Sequence, residues 1–138
     1  MNLRSAWLIV VTLGVFVFAG NLRQASAKAK DITITKDDQT ESIECSGRAV
    51  TVKSNDNKIT LKGDCKKLTV SGDDNTISAT SIKEVVVSGD DNNVAVDSVG
   101  KINTKGNDNN IAWKKGLGGK PPAISTKGED NNIKQTAD

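Results

Sequence analysis

From Ile32 onward the chain alternates apolar and polar residues in short runs. Val50-Thr51-Val52, Leu68-Thr69-Val70, Val85-Val86-Val87, Ile102-Asn103-Thr104 and Ile124-Ser125-Thr126 form one set. Ile59-Thr60-Leu61, Ile77-Ser78-Ala79, Val94-Ala95-Val96 and Ile111-Ala112-Trp113 form a second. β-Branched and small residues at every other position predict strands with one buried face. Ile32-Thr33-Ile34 reads as an extra leading strand that covers the N-terminal end. Beyond it no stretch keeps a helical period.

The two sets are joined by one repeated turn. Ser54-Asn55-Asp56-Asn57, Gly72-Asp73-Asp74-Asn75, Gly89-Asp90-Asp91-Asn92, Gly106-Asn107-Asp108-Asn109 and Gly128-Glu129-Asp130-Asn131 each precede an Ile or Val by one residue. Gly and Asx residues supply the left-handed positions that a tight corner needs. The final Asn recurs at 57, 75, 92, 109 and 131, in steps of 18, 17, 17 and 22. Such a period admits two all-β architectures: a β-solenoid with 17–18-residue coils, or a meander with one hairpin per unit. The solenoid is favoured. Each Asn lies two residues before an inward Ile or Val, so its side chain can point inward and hydrogen-bond from coil to coil, as stacked amides do. The aliphatic core suits closely set layers.

The repeat breaks once. Lys114-Lys115-Gly116-Leu117-Gly118-Gly119-Lys120-Pro121-Pro122 stands inside the 22-residue step, and its Gly and Pro predict a loop leaving the coil. The polar tail from Lys134 to Asp138 is expected to fray.

The first 27 residues follow a different pattern. Arg4, an apolar run from Trp7 to Ala19 and Ala25-Ser26-Ala27 read as a secretory signal peptide cleaved before Lys28. The mature chain is then a single β-repeat domain, 28–138, exported to the periplasm or secreted, with no membrane span. Removing the signal also takes away Arg4 and Arg23, so 17 basic residues face 17 acidic ones. A neutral domain with scattered Lys carries no footprint for nucleic acid. Cys45 and Cys65, an even pair in an oxidising compartment, predict one disulfide tying neighbouring coils. There is no His, and the carboxylates sit on repeated turns instead of in one constellation. No nucleophile–base pair can be assembled, so no catalytic residue is assigned and the chain is not expected to be an enzyme.

The turns raise a sharper question. Stacking aligns Asp56, Asp74, Asp91, Asp108 and Asp130 in one column, with Asp73, Asp90 and Glu129 beside it. Like charges at about 4.8 Å repel. Calcium is one way to offset this, which makes the five Asp candidate metal ligands. Lys53, Lys58, Lys105 and Lys127 nearby are another, and splaying into solvent is a third. The turns lack the Gly-Gly-x-Gly-x-Asp signature of calcium-binding solenoids. Trp113 is either a binding platform or a core cap, and its register with Ile111 favours the cap. With Lys114 and Lys115 at the base of the loop, it is the candidate partner-binding site.

These residues resemble an exported bacterial family known as domain of unknown function 3060. The shared features are Cys45 before the first turn, Gly63-Asp64-Cys65 closing the first unit, the Gly-x-x-Asn turns, Trp113 ending a late unit, and a looser segment before the last turn. The likeness runs from about Glu44 to Ile133. The chain departs from it at Ser54, where the first turn lacks Gly, and in its acidic turns. The resemblance implies the repeat and export but no activity. The function expected is a non-catalytic structural or binding module at the envelope or outside. A calcium-binding repeat protein is the alternative, and an enzyme on the solenoid surface is the least favoured. Open solenoid ends would allow self-association.

Overall fold

The structure is a computed structural model that describes residues 29–137. The segment read as a signal peptide, 1–27, lies outside the described residues. Nine strands follow in order: β1 (Ile32–Ile34), β2 (Thr40–Glu44), β3 (Ala49–Val52), β4 (Lys58–Val70), β5 (Thr76–Val87), β6 (Asn93–Lys105), β7 (Asn110–Gly116), β8 (Ala123–Lys127) and β9 (Asn132–Gln135). A 3-10 turn, Leu117–Gly119, separates β7 from β8.

Every strand pair among the described residues is parallel, with one register shift in the β4–β5 pair between Leu61 and Asp64, so the repeat is a β-solenoid of about six coils. A hairpin meander would have required antiparallel pairs. One side stacks Ile32, Val50, Leu68, Val85, Ile102 and Ile124. The second side stacks Glu41, Ile59, Ile77, Val94, Ile111 and Ile133. β4, β5 and β6 run on past the second side, so the two runs read separately in the sequence are joined through a bend. That bend makes a third side, where Cys65, Ile82, Val99 and Gly116 stack.

The core is aliphatic, with Val, Ile and Leu side chains buried between the sides and Trp113 near one end. Cys45 and Cys65 are joined, with Cα atoms 5.0 Å apart, and both are buried. They fill the positions that Ile82 and Val99 take in later coils. The bridge ties the leading coil to the next one.

Three sequence readings need correction. The leading strand Ile32–Ile34 is present as read, but it is one part of a whole coil. Its second strand, β2, and its turn escaped notice because Gln39 stands where the other coils have Asn, and Glu41 where they have Ile or Val. The loop does not leave at Lys114. β7 continues to Gly116, pairing Ser98 with Lys115 and Val99 with Gly116, and the chain departs only at Leu117. The tail does not fray at Lys134: β9 pairs with β7 through Gln135, and Thr136 N–H still donates to Trp113 O at 2.7 Å.

Candidate functional site

The turn edge is built by two side-chain ladders. In the inner one, Asn57 Nδ2 donates to Asn75 Oδ1 at 3.0 Å, Asn75 to Asn92 at 3.1 Å, Asn92 to Asn109 at 3.2 Å and Asn109 to Asn131 at 3.0 Å. Each accepting Oδ1 also takes the backbone N–H of the preceding Asn. The second Nδ2 proton reaches a carbonyl of the coil before, Ser54 O for Asn75 and Gly72 O for Asn92. Asn57, Asn75, Asn92 and Asn109 are all buried. A buried primary amide is tolerable because its donors and acceptor are satisfied.

Ser54 explains the departure at the first turn. Its hydroxyl accepts from Asn57 Nδ2 at 2.9 Å, whereas the later Asn residues find a carbonyl in the coil before. Gly is required further on because the coils close up there. A Cβ at Gly89 would collide with the carbonyl oxygen of Gly72.

The outer ladder uses residues that had been counted as charge. Asp73 Oδ1 accepts Asp90 N–H at 2.9 Å, and Asp90 Oδ1 accepts Asn107 N–H at 2.7 Å. Asn55 and Asn107 do the same for Asp73 and Glu129. Asp and Asn alternate here because both offer the same short oxygen. Asp56, Asp74, Asp91, Asp108 and Asp130 occupy the neighbouring column with φ between 52 and 56°, and Asp38 of the leading coil joins them at 56°. Short Asx side chains tolerate this left-handed conformation. Asp91 sits mid-column. Loss of hydration, then the charges of Asp108, Asp74, Asp90 and Asp73, push its carboxyl above the usual aspartate range. Among the described residues, no group of three or more His, Cys, Asp or Glu side chains is arranged to hold a metal ion.

The outward face of the second side is flat. Thr60, Ser78, Ala95 and Ala112 lie in one row, and a shallow groove of about 480 Å³ runs across the coils there. Lys62, Asp97 and Lys114 edge it, and Lys114 pairs with Asp97 at 2.8 Å. An exposed amide row runs alongside, with Asn110 Nδ2 donating to Asn93 at 3.3 Å and Asn132 Nδ2 to Asn110 at 3.1 Å. The sequence reading passed over this face. Its signal was the run of small residues at the polar positions of the alternation.

Of Trp113, Lys114 and Lys115, the first and last share one small cleft, while Lys114 lies on the other face of the strand. Trp113 is 8% exposed and lies in the core, with its indole N–H buried and unpaired. Lys114 lines the groove, and Lys115 lines a small cleft beneath the loop with Trp113, Lys120 and Pro121. Strand alternation separates the neighbours. On the first side, Glu84 bridges Lys67 at 3.2 Å and Lys101 at 3.6 Å. The hydrogen-bonded Lys67 ammonium holds its carboxyl below the usual range, against the opposing effect of burial, and Lys101 adds to this.

Among the described residues, no helix is long and apolar enough to cross a membrane. The model of the family described as "Protein of unknown function (DUF3060)" matches residues 52–96 and 82–130, together more than half of the chain. The chain belongs to that family. None of the curated proteins and none of the solved structures matches it.

Proposed function

We propose that this family member is a non-catalytic, exported binding module whose flat second side holds an extended polymer at the cell envelope or outside. The observation that carries this reading is the groove across the coils at Thr60, Ser78, Ala95 and Ala112. Small side chains leave the sheet surface open, and a ladder-locked backbone keeps it flat over several coils. Two hydroxyls are followed there by two Ala methyl groups, with the amide row alongside. Such a surface suits a polyhydroxylated chain, which offers hydrogen-bonding edges and apolar faces at short intervals. The polar positions of a rigid repeat can match a repeating ligand with little ordering cost on the protein's side. The carboxylates of the described residues sit on repeated turns and not in one acid, base and nucleophile constellation, which supports binding over turnover.

Co-sedimentation with purified peptidoglycan sacculi, and affinity electrophoresis through a panel of soluble polysaccharides, test the reading. At least one polymer is expected to retain the protein. Ala95→Arg and Ala112→Arg should release it while the circular dichroism spectrum and unfolding midpoint stay as before. Retention that both variants leave unchanged would move binding elsewhere, and loss of the groove's role would sink the proposal.

A second reading, calcium binding at the turn edge, rests on the column of equivalent Asp residues, although no three of them are gathered at one point in the described residues. It would use Asp56, Asp74, Asp91, Asp108 and Asp130. A midpoint raised by calcium and not by magnesium at equal ionic strength supports it, since a ligand of the folded state must stabilise that state. Equal effects of both ions would count against it.

A further inference from the structure

The third side carries a separate cleft of about 480 Å³. Gly47 and Ser81 are small enough to leave it open, and Cys65 forms part of its lining. One wall is Leu117, the first residue beyond β7 and the start of the repeat's single interruption. The chain turns back there, and Leu117 Cδ1 comes within 3.3 Å of where a Cβ on Gly100 would stand. Gly100 thus gives Leu117 its seat, and the interruption adds an apolar wall to an otherwise regular side.

The polar part of the cleft is basic. Lys67, Glu84 and Lys101 stack in register, which places Lys66 directly beside Lys83, with Gly100 next in the column. Consecutive coils lie about 4.8 Å apart. Both lysines line the cleft. Among the described residues neither Lys66 nor Lys83 is in an ion pair, whereas Lys67 and Lys101 share Glu84. Asp64, also at the cleft, offers one carboxylate against two cations. Two stacked, unpaired ammonium groups repel, and an anion held between them would gain charge-assisted hydrogen bonds from both.

We propose that this cleft binds a small anionic amphiphile, with its carboxylate or phosphate between Lys66 and Lys83 and its alkyl part against Leu117. The volume lies in the range of small-molecule sites, which are mostly apolar with a few placed polar groups. The proposal is independent of the polymer-binding face, which lies on another side of the coil.

Isothermal titration of the protein with decanoate, decyl phosphate and decyl maltoside, each below its micellar concentration, provides the test. Decanoate, decyl phosphate or both should bind at a single site, at least about tenfold more tightly than the uncharged maltoside. A preference for decanoate would point to free fatty acids as the source, and a preference for decyl phosphate to phosphate-headed lipids. The double variant Lys66→Gln/Lys83→Gln should weaken the anions by about tenfold or more and leave the maltoside unchanged. Leu117→Asp should weaken all three, with Leu117→Ala as a milder second variant and thermal unfolding as the check on folding. Binding of neither anion, equal binding of the maltoside, or full affinity in the folded lysine variant would overturn the proposal.

Discussion

Asn92 shows how a single polar residue can hold an aliphatic core in register. Its Oδ1 accepts both Asn75 N–H and Asn75 Nδ2, and its own Nδ2 reaches Asn109 Oδ1 and Gly72 O. Truncation leaves buried donors on Asn75 without an acceptor, and each unsatisfied group costs about 1–3 kcal/mol. Asn92→Ala should therefore destabilise by about 3 kcal/mol in urea unfolding, a larger loss than expected of a turn residue that serves only its own φ. A change below about 0.5 kcal/mol, the usual size for a surface substitution, would show that the ladder is idle. Asp91 offers the opposite sign. Its carboxyl titrates above the ordinary aspartate value in the folded chain, so the folded state binds its proton more tightly. Stability is then lost as pH rises through the folded value and regained as pH falls toward the ordinary one. Asp91→Asn keeps a residue that accepts the left-handed turn and removes the charge. It should raise the unfolding midpoint at neutral pH and flatten the profile from the ordinary aspartate value upward. A lowered midpoint would mean that the carboxylate is needed there.

At the scale of elements, legibility followed the repetition. The strands flanking five turns were readable because β-branched residues alternate with polar ones and the Asn falls at a near-constant step. Asn57 and its equivalents could be placed inward because they share a register with Ile59 and its equivalents. The leading coil was not readable as a coil, since Gln39 and Glu41 replace the two residues that define the pattern. The end of β7 was misplaced because Lys114, Lys115 and Gly116 are poor strand formers alone, and it is the ladder to Ser98 and Val99 that keeps them extended. The two clefts are products of stacking. No local pattern joins Thr60 to Ala112, or Lys83 to Leu117. The bridge also acts at this scale, fastening a coil in which an exposed Glu41 stands in register with the buried Ile59. Reduction of Cys45–Cys65 should cost about 3 kcal/mol. It should speed amide exchange in β1 and β2 before the later coils, and uniform acceleration throughout would show that the leading coil is not a separate weak point.

Across the whole molecule, nearly all cohesion is between neighbours in the stack. In such repeat architectures stability is a sum of coil and interface terms, and rigidity extends as far as the stacking does. A rigid, sided body of this kind can present different surfaces without moving: an acidic turn edge, a flat hydroxyl and amide face, and a basic cleft beside Leu117. All of them depend on the Asn ladder running unbroken through the coils. Side-chain amide exchange followed by nuclear magnetic resonance reports this directly, because the chain carries its own control. Asn57, Asn75, Asn92 and Asn109 are buried in the ladder, while Asn93 and Asn132 on the outer face are exposed. The account predicts that the ladder amide protons exchange orders of magnitude more slowly than those of the outer row, with rates that track global unfolding. Equal rates in the two rows would contradict it, and with it the rigid solenoid on which the proposed binding surfaces rest.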